Sequence, residues 1–215
     1  MKKMLILLMT IGCVSFTTPN KKILFVGDSI TTIEHNGVTI KSNYPYLIKK
    51  ELQPKGVGVD VVAIGGKRTK WMLNNLIVKL KTNKYDRVYI YGGINDMFSA
   101  VSEKSALNNI QKMVDVVNKS GAEAFVIIGY DTKYFMDSNK LRTTDYVPTK
   151  SGLVVLKEKY IRFQNLIPTT IKNATIVKKF NIPSKLTMDG IHPTGRGQKI
   201  IANNIIETLN NLTNE

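Results

Sequence analysis

Cysteine and histidine are both scarce in this sequence. Its 215 residues include one cysteine, Cys13, and two histidines, His35 and His192. A single cysteine excludes a disulfide bond within the chain, so the stability of the fold has to come from a hydrophobic core. Two histidines leave only two imidazoles as candidates for a general base.

Acidic residues are also few, at 16 against 31 lysines and arginines, which gives a formal net charge of +15. Such a positive field favours anionic partners, among them acidic polysaccharides, anionic lipid headgroups, teichoic-type polymers and nucleic acids. The lysines are scattered singly or in pairs, however, without a dense basic block or interleaved aromatic residues. Specific nucleic-acid binding is therefore not expected.

Long hydrophobic runs, internal repeats and linkers are missing as well. A membrane-spanning helix needs about 20 apolar residues, and the apolar run over residues 4–12 is shorter and follows Lys2 and Lys3. This pattern favours the core of a signal peptide. We predict a leader over residues 1–20, a single domain over residues 21–215, and export to the periplasm, the cell surface or the medium.

Cys13 comes directly after Gly12 at the end of the apolar run. The arrangement resembles a bacterial lipobox, in which the cysteine is lipidated and becomes the mature N-terminus. Thr10 stands where that pattern usually has leucine, and the alternative is that Cys13 only fills the apolar segment. We expect membrane contact only through the leader or a lipidated Cys13, and a monomer.

From residue 21 onward, short apolar runs alternate with segments of helical periodicity. The predicted strands are residues 23–26, 57–64, 88–91, 124–128 and 174–177. The predicted helices are residues 46–52, 71–80, 107–117, 153–166 and 200–209. Alternating units of this length indicate an α/β fold with a parallel sheet between two helical layers. Right-handed connections favour a flavodoxin-like three-layer arrangement with strand order 2-1-3-4-5.

Three predicted strands end in unusual sequences. Gly27-Asp28-Ser29-Ile30 follows the first strand, Gly65-Gly66 the second, and Gly92-Gly93-Ile94-Asn95-Asp96 the third. The carboxyl ends of parallel strands meet at one edge of the sheet, so these loops are expected to converge there. A serine hydroxyl, glycine backbone N–H groups and an asparagine side chain would together form a nucleophile with oxyanion donors.

A further motif, Asp189-Gly190-Ile191-His192-Pro193, precedes the last predicted helix. A carboxylate three residues before an imidazole can contact one ring nitrogen and leave the other free, as in a serine–histidine–acid triad. Taken alone, Gly-Asp-Ser is a common turn, Gly-Gly ends many strands, and Asp-x-x-His often caps a helix. Their joint occurrence, each at the expected strand end, favours catalysis.

These motifs resemble the SGNH (GDSL-type) hydrolase family over residues 22–212, with Ile30 where the family name has leucine. The four blocks of the family correspond here to Ser29, Gly66, Asn95 and His192. The resemblance implies a serine esterase in which His192, oriented by Asp189, activates Ser29. It also implies an oxyanion hole formed by the backbone N–H groups of Ser29 and Gly66 and the side chain of Asn95. No metal and no organic cofactor is implied.

The substrate is less well indicated. The resemblance extends to bacterial thioesterase I/lysophospholipases and to small carbohydrate esterases. The asparagine that often precedes the second-block glycine is missing, and the irregular segment over residues 131–150 is longer than in the smallest members. That segment follows the fourth strand on the binding face, and loops of this length usually carry function. We assign substrate contacts to Asp28 and to four aromatic residues, Tyr130, Tyr134, Phe135 and Tyr146.

The expected substrate is an acylated glycan, lipid or small molecule, either neutral or anionic, with O-acetyl groups on a carbohydrate or cell-envelope glycan as the first hypothesis. A lysophospholipase or thioesterase is the alternative within the same chemistry. A non-catalytic flavodoxin-like module that binds a phosphate or glycan is an alternative of a different class, because residues 29–32 could surround a phosphate. The binding module, however, leaves Asn95 and the Asp189–His192 pair without a role.

Overall fold

The computed structural model describes residues 21–32, 39–130 and 150–209. Five parallel strands form one sheet. They are β1 (Lys21–Gly27), β2 (Val57–Ala63), β3 (Arg87–Tyr91), β4 (Glu123–Ile127) and β5 (Thr175–Val177). The strand order is β2-β1-β3-β4-β5, so the predicted α/β fold and its topology are confirmed.

Helices follow each strand. They are α1 (Ser29–Thr32), α2 (Tyr44–Leu52), α3 (Thr69–Thr82), α4 (Ile94–Met97), α5 (Glu103–Lys119), α6 (Lys150–Thr170) and α7 (Gly195–Leu209). Short 3₁₀ turns occur at Ile40–Ser42, Gln53–Lys55 and Ser184–Leu186. The helix predicted over residues 153–166 begins three residues earlier and ends four residues later. Its first residue, Lys150, therefore belongs to the helix and not to the irregular segment predicted over residues 131–150.

Several sequence-based predictions lie outside the described residues. They concern the leader over residues 1–20 with Cys13, most of the segment over residues 131–150, His35, and three of the aromatic residues, namely Tyr134, Phe135 and Tyr146. Within the part of the chain that the structure describes, no helix is both long and apolar enough to cross a membrane.

The core explains why these segments form these elements. The central strands β1 and β3 are covered on both faces, so their sequences are almost continuously apolar and their side chains are buried. Helix α5 instead places apolar residues at helical spacing toward the sheet. Helix α2 packs against α7, and α5 packs against both α3 and α6, which defines the two outer layers.

Gln198 of α7 links three segments of the fold and is completely buried. Its side-chain oxygen accepts a hydrogen bond from the backbone N–H of Tyr44 at 2.9 Å. Its Nε2 donates to the backbone carbonyl of Ile30 at 3.0 Å. One amide side chain therefore satisfies two buried backbone groups, one at the start of α2 and one directly after Ser29.

We expect Gln198→Ala to lower the free energy of unfolding by about 2–4 kcal/mol, because it leaves a buried N–H and a buried carbonyl without partners. Urea unfolding followed by circular dichroism measures the change. The control is Lys199→Ala, which truncates an exposed neighbour on the same helix. Equal stability of the two variants would contradict the assigned role.

Candidate active site

The turn between β1 and α1 places Ser29 at the carboxyl edge of the sheet. The backbone carbonyl of Asp28 accepts hydrogen bonds from the N–H groups of Thr31 and Thr32, both at 3.1 Å. A Cβ atom on Gly27 would lie 1.9 Å from the Thr31 hydroxyl oxygen, so this turn requires glycine. Ser29 is thereby the first residue of a short helical turn and is partly exposed, and it follows a strand that is buried from Ile23 onward.

The structure brings Ser29 together with His192 and Asp189. The Ser29 hydroxyl oxygen is 2.8 Å from His192 Nε2. The other ring nitrogen, His192 Nδ1, is 2.6 Å from a carboxylate oxygen of Asp189. With the imidazole proton on Nδ1, the ring donates to Asp189 and its Nε2 accepts the hydrogen of the Ser29 hydroxyl. This is the relative placement that the sequence predicted.

Asp189 also organises the loop that carries His192. Its second carboxylate oxygen accepts the backbone N–H groups of Ile191 at 3.0 Å and His192 at 2.7 Å. Burial raises the pKa of Asp189, but the hydrogen bonds from the His192 ring and these two N–H groups outweigh it and lower the pKa to about 2. The carboxylate is therefore ionised at neutral pH, as an acid that orients an imidazole must be.

The loop after β2 borders Ser29 from the other side. A Cβ atom on Gly65 would lie 3.6 Å from the Ser29 Cβ. Gly66 adopts a left-handed conformation with φ of 73° and is exposed, so a ligand can reach its backbone. Asn95, the second residue of α4, donates from Nδ2 to the Lys67 carbonyl at 3.1 Å and lies 3.4 Å from an Asp28 carboxylate oxygen. The predicted convergence of the three strand-end loops is therefore present.

Asp96 has a structural role that the sequence did not reveal. Its two carboxylate oxygens accept the Thr69 backbone N–H at 2.8 Å and the Thr69 hydroxyl at 2.7 Å. Asn109 of α5 in turn donates to the Thr69 hydroxyl oxygen at 3.0 Å. The carboxylate thus caps α3 and fixes the loop after β2 against α4. Asp96 directly follows Asn95 in the third strand-end motif, and this position indicates a role near the site. Nothing in the sequence, however, identifies Thr69 as its partner.

Two predicted substrate contacts are wrong, because both side chains are only 1% exposed. Asp28 accepts the backbone N–H of Ile30 at 3.0 Å and stabilises the turn beneath Ser29. Burial raises its pKa to about 6, although this N–H and the nearby His192 partly oppose the effect. Tyr130 packs edge-on against Tyr91, with ring centroids 6.4 Å apart. Neither side chain reaches the surface.

Among the residues that the structure describes, no group of three or more histidine, cysteine, aspartate or glutamate side chains is arranged to bind a metal ion. The arrangement at the sheet edge is instead a hydroxyl, an imidazole and a carboxylate beside neutral N–H donors. Chemically, it can transfer the serine proton to the imidazole as the hydroxyl attacks a carbonyl carbon.

Several solved structures are similar to this chain over most of its length. A lipolytic protein of the G-D-S-L family from Veillonella parvula is 16% identical, with a TM-score of 0.65 over 87% of this chain and 97% of that one. An acetylxylan esterase from Geobacillus stearothermophilus is 18% identical, with a TM-score of 0.64 over 90% and 96%. TesA is 22% identical, with a TM-score of 0.62 over 89% and 99%. At these sequence identities, the similarity shows that the fold is shared.

The family is identified by the sequence itself. No curated protein gives a significant match to the chain. Residues 25–200, however, match the GDSL-like lipase/acylhydrolase family, and this range contains every residue of the arrangement around Ser29. The chain therefore belongs to the GDSL-like lipase/acylhydrolase family and is an SGNH-type esterase acting on carboxylic ester bonds.

Proposed function

We propose that this esterase works through an acyl-enzyme formed on Ser29, and that its substrates are O-acyl groups, foremost acetyl groups, on a carbohydrate or cell-envelope glycan. The observation that supports the mechanism is the continuous hydrogen-bond chain from Ser29 through His192 to Asp189, at 2.8 and 2.6 Å. A serine hydroxyl is a weak nucleophile unless a base removes its proton, and this chain supplies that base.

The reaction has two halves. In the first, the Ser29 oxygen attacks the ester carbonyl while His192 Nε2 takes the hydroxyl proton, and the alcohol leaves with that proton. In the second, His192 activates a water molecule, which attacks the acyl-serine and releases the carboxylic acid. Asp189, ionised throughout, stabilises the imidazolium that forms in each half. Ester and water thereby become acid and alcohol, with Ser29 restored.

The negative charge that develops on the carbonyl oxygen needs fixed donors. We assign this role to the backbone N–H groups of Ser29 and Gly66 and to the side chain of Asn95. One hydrogen of the Asn95 amide is held by the Lys67 carbonyl, which fixes the plane of the amide. Within the described part of the chain, the acceptor for the second hydrogen is the distant Asp28 oxygen at 3.4 Å, a long contact that a substrate oxygen can replace.

The glycan assignment draws support from the family and from the fold shared with acetylxylan esterases. An envelope or environmental glycan lies outside the cytoplasm, so the proposal includes export through the leader over residues 1–20. The non-catalytic binding module that the sequence left open gives His192 and Asp189 no role, and the esterase family argues against it.

A lysophospholipase or thioesterase activity is the second candidate. The observation that favours it is Ile64, which directly precedes Gly65 and has 48% of its surface exposed. An exposed branched side chain this close to Ser29 offers an apolar surface to an acyl chain. The substrate panel described next separates the two candidates.

We expect the purified protein to hydrolyse p-nitrophenyl acetate and acetylated xylan faster than p-nitrophenyl palmitate or a lysophospholipid. Ser29→Ala should remove turnover of every ester, and mass spectrometry of the quenched wild type should locate an acyl group on Ser29. Thr32→Ala, at the end of the same short helix, is the control. Turnover that persists in Ser29→Ala would contradict the mechanism, whereas faster hydrolysis of the long-chain lipids would overturn only the glycan assignment.

Asn95→Ala should lower kcat by about 100- to 1000-fold, the range observed when one oxyanion donor is removed. KM should change little, because the donor acts mainly on the transition state. Asn204→Ala is the matched control, since that amide only donates to a carbonyl within its own helix. With the fold verified by circular dichroism, an unchanged kcat would remove Asn95 from the oxyanion hole.

A further inference from the structure

We propose that Lys67, Arg68 and Lys70 form a cationic subsite that binds a carboxylate or phosphate group of the substrate next to the scissile ester. The inference rests on the proposed function, because it concerns the substrate of the same site. The inference adds that the substrate carries a negative charge, and it names the side chains that bind this charge.

The backbone of this segment is in contact with the candidate site at three points. Gly65 lies against Ser29, the Lys67 carbonyl accepts the Asn95 amide, and Thr69 is held by Asp96. The cationic side chains therefore start from a fixed backbone that borders the oxyanion donors. A ligand held by them would be close to an ester placed against Ser29.

The three side chains are not held in ion pairs within the described part of the chain, although the charge of Arg68 partly opposes the rise in the pKa of the buried Asp96. Among the described residues, none of the three makes an ion pair, whereas Lys22, Lys55, Lys79, Arg87 and Arg162 all do. Arg68 and Lys70 are exposed, and Lys67 is partly buried. The Asp96 carboxylate of α4 is buried and both of its oxygens accept hydrogen bonds from Thr69, so it is not free to form an ion pair with Arg68.

The helix that follows adds charge of the same sign. Arg68 is the N-cap of α3, which has 14 residues and no acidic residue in its first turn. The N-terminal end of a helix carries a partial positive charge, which here lies on the same side as the three cations. Acidic residues are favourable at this end of a helix. Here Lys70 occupies the first turn instead, so this rim of the site stays positive.

A planar guanidinium and two ammonium groups suit oxygen anions, since arginine can bind a carboxylate or phosphate with two parallel hydrogen bonds. Uronic acids and glycerol phosphate units of acylated glycans carry such groups, and so do the headgroups of anionic lysophospholipids. The shared chemistry is an anion near an ester, and the experiment distinguishes the two sources.

The test uses 4-acetoxybenzoate and its uncharged methyl ester, which are acetyl esters that differ in one charge. The double variant Arg68→Gln/Lys70→Gln should lower kcat/KM for the anionic ester by about tenfold, as expected for two exposed ionic contacts. Turnover of the methyl ester should change less than about twofold. The control, Lys84→Gln/Lys119→Gln, removes the same charge from exposed residues before β3 and β4, at the opposite edge of the sheet.

Equal effects on both esters, or the same selective loss in the control, would overturn the subsite. Absence of turnover of any ester by the wild type would instead overturn the proposed function. Acetylated polygalacturonate and lysophosphatidylglycerol identify the source of the anion, because only the physiological class should lose turnover in parallel with 4-acetoxybenzoate. If the double variant loses turnover of neither the polymer nor the lipid, the result would count against a natural anionic substrate.

A separate observation assigns a positioning role to Lys159 of α6. Its ammonium group donates to the backbone carbonyls of Val101 at 2.8 Å, Ser99 at 3.2 Å and Met97 at 3.5 Å. These carbonyls belong to the end of α4 and the segment directly after it, and α4 carries Asn95. A lysine ammonium has three N–H donors, and here each of them has a carbonyl acceptor.

The other end of α4 is also held by α6. Gly93 precedes α4 with φ of 110°, and a Cβ atom there would lie 2.3 Å from the ring of Phe163. Phe163 is four residues beyond Lys159, so both residues lie on the same side of the helix. Helix α6 therefore contacts the chain two residues before Asn95 and again two to six residues after it, and we infer that Lys159 fixes the position of the Asn95 amide.

A double-mutant cycle tests this role. Lys159→Met should lower kcat by about tenfold in the wild-type background, with KM unchanged, but less than about twofold in the Asn95→Ala background, because residues that act as a unit are non-additive. Lys159→Arg keeps the cation and its donors and should recover most of kcat. Lys157→Met, which removes a lysine without a described partner from the same helix, is the control.

A loss of kcat that is equal in both backgrounds would show that Lys159 only supports the fold, and the inference would be wrong. If Lys159→Met does not fold, the same cycle with Lys159→Gln, which keeps one donor, replaces it. Thermal unfolding of each variant separates lost stability from lost positioning.

Discussion

The parallel register of the three central strands is the constraint on which the site depends. Gly27, the last residue of β1, is paired with Ala63 of β2 on one side and with Tyr91 of β3 on the other. The three strands therefore end at the same level, and the three loops leave the sheet beside one another. A shift of one strand by a single residue would separate Ser29 from the glycines and from Asn95.

Three aspartates organise these loops in the same physical way, although their environments differ. Asp28, Asp96 and Asp189 each accept a backbone N–H where the chain turns. Burial raises the pKa of Asp28 to about 6 and also raises that of Asp96, despite its hydrogen bonds with Thr69. Asp189 also contacts an imidazole, and its pKa is lowered to about 2. Only the third environment yields a carboxylate suited to stabilising a charged base.

The features that could be predicted from the sequence are those with a local signal. Apolar runs and helical periodicity predicted the strands and the longer helices of the described residues. The first strand-end motif, together with the motif before the last helix, predicted that Ser29, His192 and Asp189 are neighbours. The burial of Tyr130 and the contacts of Gln198 and Lys159 could not be predicted. They depend on contacts between side chains that are distant in the sequence and come together only when the layers pack. No local sequence pattern encodes such contacts.

Ser29 and His192, the proposed nucleophile and its proposed base, are 163 residues apart in the chain. Ser29 follows the first strand, whereas His192 follows the last strand and immediately precedes the final helix. During synthesis from the N-terminus, Ser29 is therefore made long before the imidazole to which we assign its activation. In the proposed mechanism, a nascent or partly folded chain therefore holds an unactivated serine, and ester hydrolysis becomes possible only when the segment that carries His192 packs against the loop after β1.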